Sequence, residues 1–172
     1  MNKTLLVQLA QFKRVAIPRY FESKIQAIAL KHLNLTDMGK LRDRTEGQSY
    51  FNKLRTDVFA EYAFENVIGM HKFDWEARET KNFKRKKYIF QEKELQLITF
   101  ENDNLPKLDC NNLCNSIFIY VHIDNRVFIS KLATLKYLQS ISATHKNKVL
   151  EISEFENLKD FSSLDEMISY LD

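Results

Sequence analysis

Ser116 to Ile123 reads SIFIYVHI. The run is nearly continuous in apolar side chains and shows no alternation with polar ones, the pattern of a strand buried on both faces. Such a strand needs a sheet with cover on each side. It is also far short of the roughly 18 apolar residues that span a bilayer, and no other run in the chain approaches that length. Asp124–Asn125 follows as a hairpin turn into RVFIS. Upstream, KKYIFQ and ELQLITF flank a tight polar turn at Glu92–Lys93, and HKFDWEA reads as a further short aromatic strand.

Helical spacing frames these strands. Leu5, Leu9, Phe12 and Ala16 predict a first helix that Pro18 ends. Phe21, Ile25, Ile28 and Ala29 predict a second, to about Leu33. LTDMGKLRDRTEGQ is polar and reads as a loop or mobile connection. Ser49 to Ile68 is the strongest helix, with Gly69 placed for a C-terminal cap. Leu132, Leu135, Leu138 and Ile141 predict a helix over 131–141, and NKVLEI one more strand. Ser163 and Glu166 form a capping box ahead of Leu164, Met167, Ile168 and Leu171. The expected fold is a single α/β (α+β) domain over 1–172, with a mixed central sheet flanked by helices. Residues 1–48 are its N-terminal helical extension and 49–172 its core.

Composition narrows the chemistry. Gly39, Gly47 and Gly69 are the three glycines, too far apart to build a phosphate-cradling loop. Cys110 and Cys114 lack a second ligand pair, so reduced structural thiols are expected. His32, His71, His122 and His145 show no ligand spacing and read as structural. No Ser/His/Asp or Cys/His triad is visible. Met1 to Ala10 lacks a small-residue cleavage site, so a cytoplasmic protein with no membrane partner is expected.

Charge is uneven. The net is +3, yet residues 151–172 carry seven acids and one lysine, so the rest of the chain holds +9. A basic body with an acidic tail suits a polyanion binder, and the acidic C-terminal segment offers a surface to a protein partner. The densest basic run is KNFKRKKY. Lys84, Arg85, Lys86 and Lys87 are the candidate phosphate contacts; the competing reading is a lysine-guarded edge strand. Lys13, Arg14 and Arg19 would enlarge the patch. Asp57, Glu61 and Glu65 lie four apart on the long helix as one acidic stripe, in the bland reading its solvated face. Glu94 and Gln96 alternate with Leu95 and Leu97, which without a site is an exposed strand face.

The order long helix, strand hairpin, strand, helix, strand resembles the core of the restriction-endonuclease-like superfamily, also called PD-(D/E)xK. TDVFAEYAFENVIG resembles its GE-x-A-type helix, with Ala60 where glycine is common. KELQLITF resembles the strand that usually reads I-E-V-K-T. SIFIYVHIDNRVFIS resembles the next core strand and its hairpin, and EISEFENLKDFSSLDEMISYL the last strand and tail helix. The resemblance covers about Leu54 to the end. It implies that strands Leu95–Phe100 and Ile117–Ile123 are neighbours in a sheet covered by the helix that holds Glu61. It further implies Glu94 as metal ligand, Gln96 in the usual lysine position, and Glu61 as the helix carboxylate that orients or ligates the metal, Mg²⁺ or Mn²⁺. The family's preceding aspartate is missing: the strand reads Lys86-Lys87-Tyr88-Ile89-Phe90-Gln91. Magnesium binds through one or two carboxylates plus phosphate and water. One carboxylate with a neutral amide is a weak site.

Two functions are therefore expected from the resemblance. One is a nuclease of a phage-related or defence system that hydrolyses phosphodiesters, DNA before RNA, with a divalent metal. The other is a catalytically inactive nuclease-fold subunit that binds nucleic acid or protein. A small α/β interaction protein unrelated to that family is the third.

Overall fold

The structure, a computed structural model, describes residues 11–70, 73–80, 86–101, 104–122, 124–142 and 147–171. Its centre is β5 (Asn115–Val121), whose seven residues are all buried. On one side β5 pairs in parallel with β3 (Lys93–Phe100), with Leu97 opposite Ile117 and Thr99 opposite Ile119. On the other it pairs antiparallel with β6 (Arg126–Ala133). β1 (Lys13–Ala16) closes the β6 edge and β2 (Tyr88–Phe90) the β3 edge, giving the order β1-β6-β5-β3-β2. The sheet is thus mixed, and the two strands expected to be central neighbours are so.

Both faces of β5 are covered. Ile117, Ile119 and Val121 join one core cluster with α1 (Tyr20–Leu33) and α3 (Thr45–Val67). Between these two helices runs the short α2 (Met38–Arg42). Phe118 and Tyr120 point the other way, into a second cluster built by Phe100, Leu138, Phe155 and Leu158. That second layer holds α5 (Leu135–Ser142), a two-stranded ribbon of β4 (Lys107–Asp109) with β7 (Asn147–Val149), and a 3₁₀ turn at Ile152–Asn157. α6 (Leu164–Ser169) ends the chain, with Ser163 accepting from the Glu166 N–H as its cap.

Several local expectations are corrected. The spacing of Phe12 and Ala16 predicts a helix, but 13–16 is an edge strand: Val15 enters the α3 cluster while Phe12 enters the opposite one, as strand geometry requires. The earlier part of that predicted helix, Met1 to Ala10, lies outside the described residues. LTDMGKLRDRTEGQ is not a loop, since it holds α2, capped by Asp37, and the first turn of α3. Within HKFDWEA, where a strand is predicted, α4 (Trp75–Arg78) forms instead because the Asp74 carboxylate caps the Ala77 N–H at 3.1 Å. Lys131–Ala133 continue β6, so the next helix starts only at Leu135. The predicted last strand shrinks to β7 and pairs with β4, not with the main sheet. Gly69 ends the long helix at φ +81, as its position suggests.

The β2–β3 turn falls one residue earlier than predicted, on Gln91 and Glu92, at φ 50 and 66. Positive φ at both central residues is the type I′ hairpin, which favours Asn-Gly. Each non-glycine residue held there costs about 1–2 kcal/mol. The double substitution Gln91→Asn, Glu92→Gly is therefore expected to raise the thermal midpoint by several degrees, read by circular dichroism. A lowered midpoint would mean that the turn residues contribute contacts outweighing their strain.

Candidate functional site

Alternation along β3 decides where its polar pair goes. Leu95 and Leu97 point into the cluster shared with Val58, Ala60 and Phe64 of α3. Ile98 and Phe100 pack in the opposite cluster. Glu94 and Gln96 therefore stand on the face away from α3.

Glu61 lies on the α3 side and is 0% exposed. Its Oε2 accepts from Arg78 Nη2 of α4, and its Oε1 accepts the Lys86 backbone N–H at 2.8 Å. One turn on, Glu65 Oε1 accepts from Lys86 Nζ at 3.0 Å and from the Tyr88 hydroxyl at 3.1 Å. Arg78 is as buried as its partner. It donates from Nη1 to the Asp74 carbonyl at 2.7 Å, and its guanidinium lies 4.4 Å from the Phe73 ring centre. Burial pulls its pKa below the ordinary value, and the nearby Tyr88 opposes that. The acidic stripe of α3 is thus turned inward at Glu61 and Glu65 and clamps the segment that leads into β2.

The structure does not bring Glu61 and Glu94 together: they sit on opposite faces of the sheet. Glu61 already spends both oxygens on protein donors. Glu94 Oε1 faces Lys87 Nζ at 3.3 Å, with both side chains well exposed, a pair worth at most about 1 kcal/mol. Among the described residues no three His, Cys, Asp or Glu side chains group as a metal site. Glu61 and Glu94, the residues expected to hold Mg²⁺ or Mn²⁺, are thus not paired as ligands of one ion.

Glu94 and Gln96 open instead onto a groove of about 1100 Å³. Consecutive β3 residues from Glu94 to Thr99 line it, together with Ser116 of β5. Lys53 and Asp57 of α3 form one wall. Lys107 and Asp109 of β4, then Asn111 to Cys114, form the other, and Lys86 and Lys87 also line it. Gln96 Oε1 accepts from Cys114 Sγ at 3.3 Å. Burial, and after it the charge of Glu94, pushes the Cys114 thiol up. Asp109 accepts from Asn112 Nδ2 at 2.7 Å and from the Asn111 N–H at 3.0 Å, and these bonds, the Asn112 one first, hold its carboxyl below the ordinary value.

Of the predicted basic contacts, Lys86 and Lys87 reach this groove, while Lys84 and Arg85 lie outside the described residues. Lys53, Lys107, Asn111 and Asn112 are groove residues that sequence spacing does not single out, because three separate elements supply them. Among the histidines, His32 is structural: Nε2 donates to the Glu79 carbonyl at 2.8 Å, which leaves Nδ1 to accept from the Tyr50 hydroxyl. In the acidic tail, Glu154 pairs with Lys148, and Asp160 with Lys131 at 3.2 Å. Among the described residues no helix is long and apolar enough to cross a membrane.

No family model, curated protein or solved structure matches the chain. The chemistry of the groove therefore carries the functional reading.

Proposed function

We propose that this chain binds nucleic acid, DNA before RNA, as a nuclease-like but non-cutting protein that grips phosphates along the β3 groove. One observation carries the proposal: lysines from three elements, Lys53 on α3, Lys86 and Lys87 before β2, and Lys107 on β4, line a single groove. The acids beside them are largely engaged. Glu94 is held by Lys87, and Asp109 by the amides of its own loop. Among the described residues Lys53 and Lys107 make no ion pair, so their charge is available to a polyanion. The absence of cutting follows from Glu61, which Arg78 and the Lys86 N–H saturate on the far face of the sheet. Glu94 alone leaves most of a metal's coordination shell to water.

The test is binding of a labelled oligonucleotide, followed by fluorescence anisotropy across a salt series. Wild type is expected to bind at low salt, with affinity falling steeply as salt rises. Lys53→Ala, Lys87→Ala and Lys107→Ala combined should weaken it at every sequence. The log–log salt slope should flatten by about 0.7 per lost contact on a single strand or 0.9 on B-DNA. Supercoiled plasmid should stay intact with Mg²⁺ or Mn²⁺. Absence of binding at low salt refutes the proposal, and metal-dependent nicking that disappears in Glu94→Ala refutes its non-cutting half.

A further inference from the structure

We infer that the groove takes a single nucleic-acid strand and not a duplex. The inference rests on the nucleic-acid reading above, and it adds which form of the polymer the site selects.

Shape argues first. The lysines sit in the walls of a cleft, Lys53 on the α3 side and Lys107 on the β4 side. A duplex carries its phosphates on the outside of a broad cylinder and presents base edges only within its own grooves, which a protruding helix or β-ribbon enters. A concave cleft reverses that geometry. The volume of about 1100 Å³ lies near the upper end of small-ligand sites, about 300–1,000 Å³. That is room for a few nucleotides of one chain.

The lining argues second. Half-buried Ile98 and Leu113 add apolar surface to the groove, and exposed Gln96 and Asn112 add amides. Gln96 uses its carbonyl oxygen on the Cys114 thiol, which leaves its NH₂ to donate. Asn112 uses its NH₂ on Asp109, which leaves its carbonyl oxygen to accept. Amide donors and acceptors match base edges. Exposed along the groove, they are open to the edges of unpaired, splayed-out bases, the mode by which single strands are read. Single-strand binders commonly combine backbone-tracking cations with aromatic side chains on which the bases stack, and this groove has the first of these. Among the described lining residues none is aromatic. Stacking therefore contributes little, and discrimination comes from the lysine walls and the amides.

The experiment compares one labelled 12-nucleotide strand with the same sequence as a blunt duplex, on the full chain at low salt. The single strand is expected to bind at least about tenfold more tightly. Gln96→Leu, and separately Leu113→Ala, should each weaken single-strand binding by about tenfold, the loss of one good base contact, and weaken duplex binding by less. Circular dichroism melting confirms that each variant is folded. Equal or tighter duplex binding overturns the inference and leaves the binding proposal standing. So does a preference for the single strand that both variants leave intact. Failure of both polymers to bind overturns the inference together with the proposal it rests on.

Discussion

Arg78→Ala is expected to cost about 3–5 kcal/mol of folding free energy, because it strands Glu61 as a buried charge without its partner. In a domain of this size each kcal/mol moves the thermal midpoint by about 2–4 °C, so the drop is on the order of 10 °C. The penalty is large because Glu61 is 0% exposed and cannot turn to water for solvation. The pair itself need not be strongly stabilising. The double variant Glu61→Gln, Arg78→Met should recover most of the loss: the glutamine oxygen still accepts the Lys86 N–H, and methionine refills the volume without a charge. Glu61→Gln alone should be costly as well, since it removes the carboxylate charge that faces the buried guanidinium. The two single losses then exceed that of the double variant, the mark of directly coupled residues. A shift of only a degree or two in Arg78→Ala would mean that Glu61 reaches solvent and is open to other ligands. That result would reopen the metal reading.

How much of this was legible in the sequence depends on where the deciding partner lies. The central strand was legible because its own residues, Ile117 to Val121, are apolar without interruption and so report burial on both faces. The long helix and its Gly69 stop were legible for the same local reason. β1 was not: Lys13–Ala16 becomes a strand by pairing with Arg126–Ile129, far along the chain, and the helical spacing upstream outweighed it. The β4–β7 ribbon has three residues in each strand, too few for a periodic signal. The aromatic content of FDW favoured a strand at α4, although Asp74 three residues before Ala77 is a cap in its own right. The acidic stripe was visible, but its direction was not. An exposed carboxylate and one buried under Arg78 look alike until the helix that brings the arginine is placed. The strand pair Glu94 and Gln96 was found and does face a groove, but on the side away from Glu61. The groove's other lysines, Lys53 and Lys107, come from elements with no sequence relation to β3.

Phe118→Ala should be as damaging as the loss of Arg78, and it probes a different question. Phe118 is wholly buried on the β5 face turned away from α3, with the Phe155 ring centre 5.5 Å away at 88°. Large-to-alanine changes at such sites cost about 3–5 kcal/mol, through lost transfer energy and the cavity left behind. Trp75 is the single tryptophan and packs against the opposite cluster, beside α1 and α3. The two reporters are separated by the sheet. If both layers and the sheet between them unfold as one unit, tryptophan fluorescence must register the Phe118→Ala loss in full, at the same denaturant midpoint as far-ultraviolet circular dichroism. That coincidence is expected, because β5 is shared: Ile117, Ile119 and Val121 belong to one cluster and Phe118 and Tyr120 to the other, so one strand cannot leave one core and stay in the other. Should the fluorescence midpoint hold at the wild-type value while dichroism moves, the β4–β7 layer would be an independent folding unit. The β4 wall of the groove could then detach from the α3 wall, and a cleft holding Lys53 opposite Lys107 would no longer be a fixed feature of the folded chain.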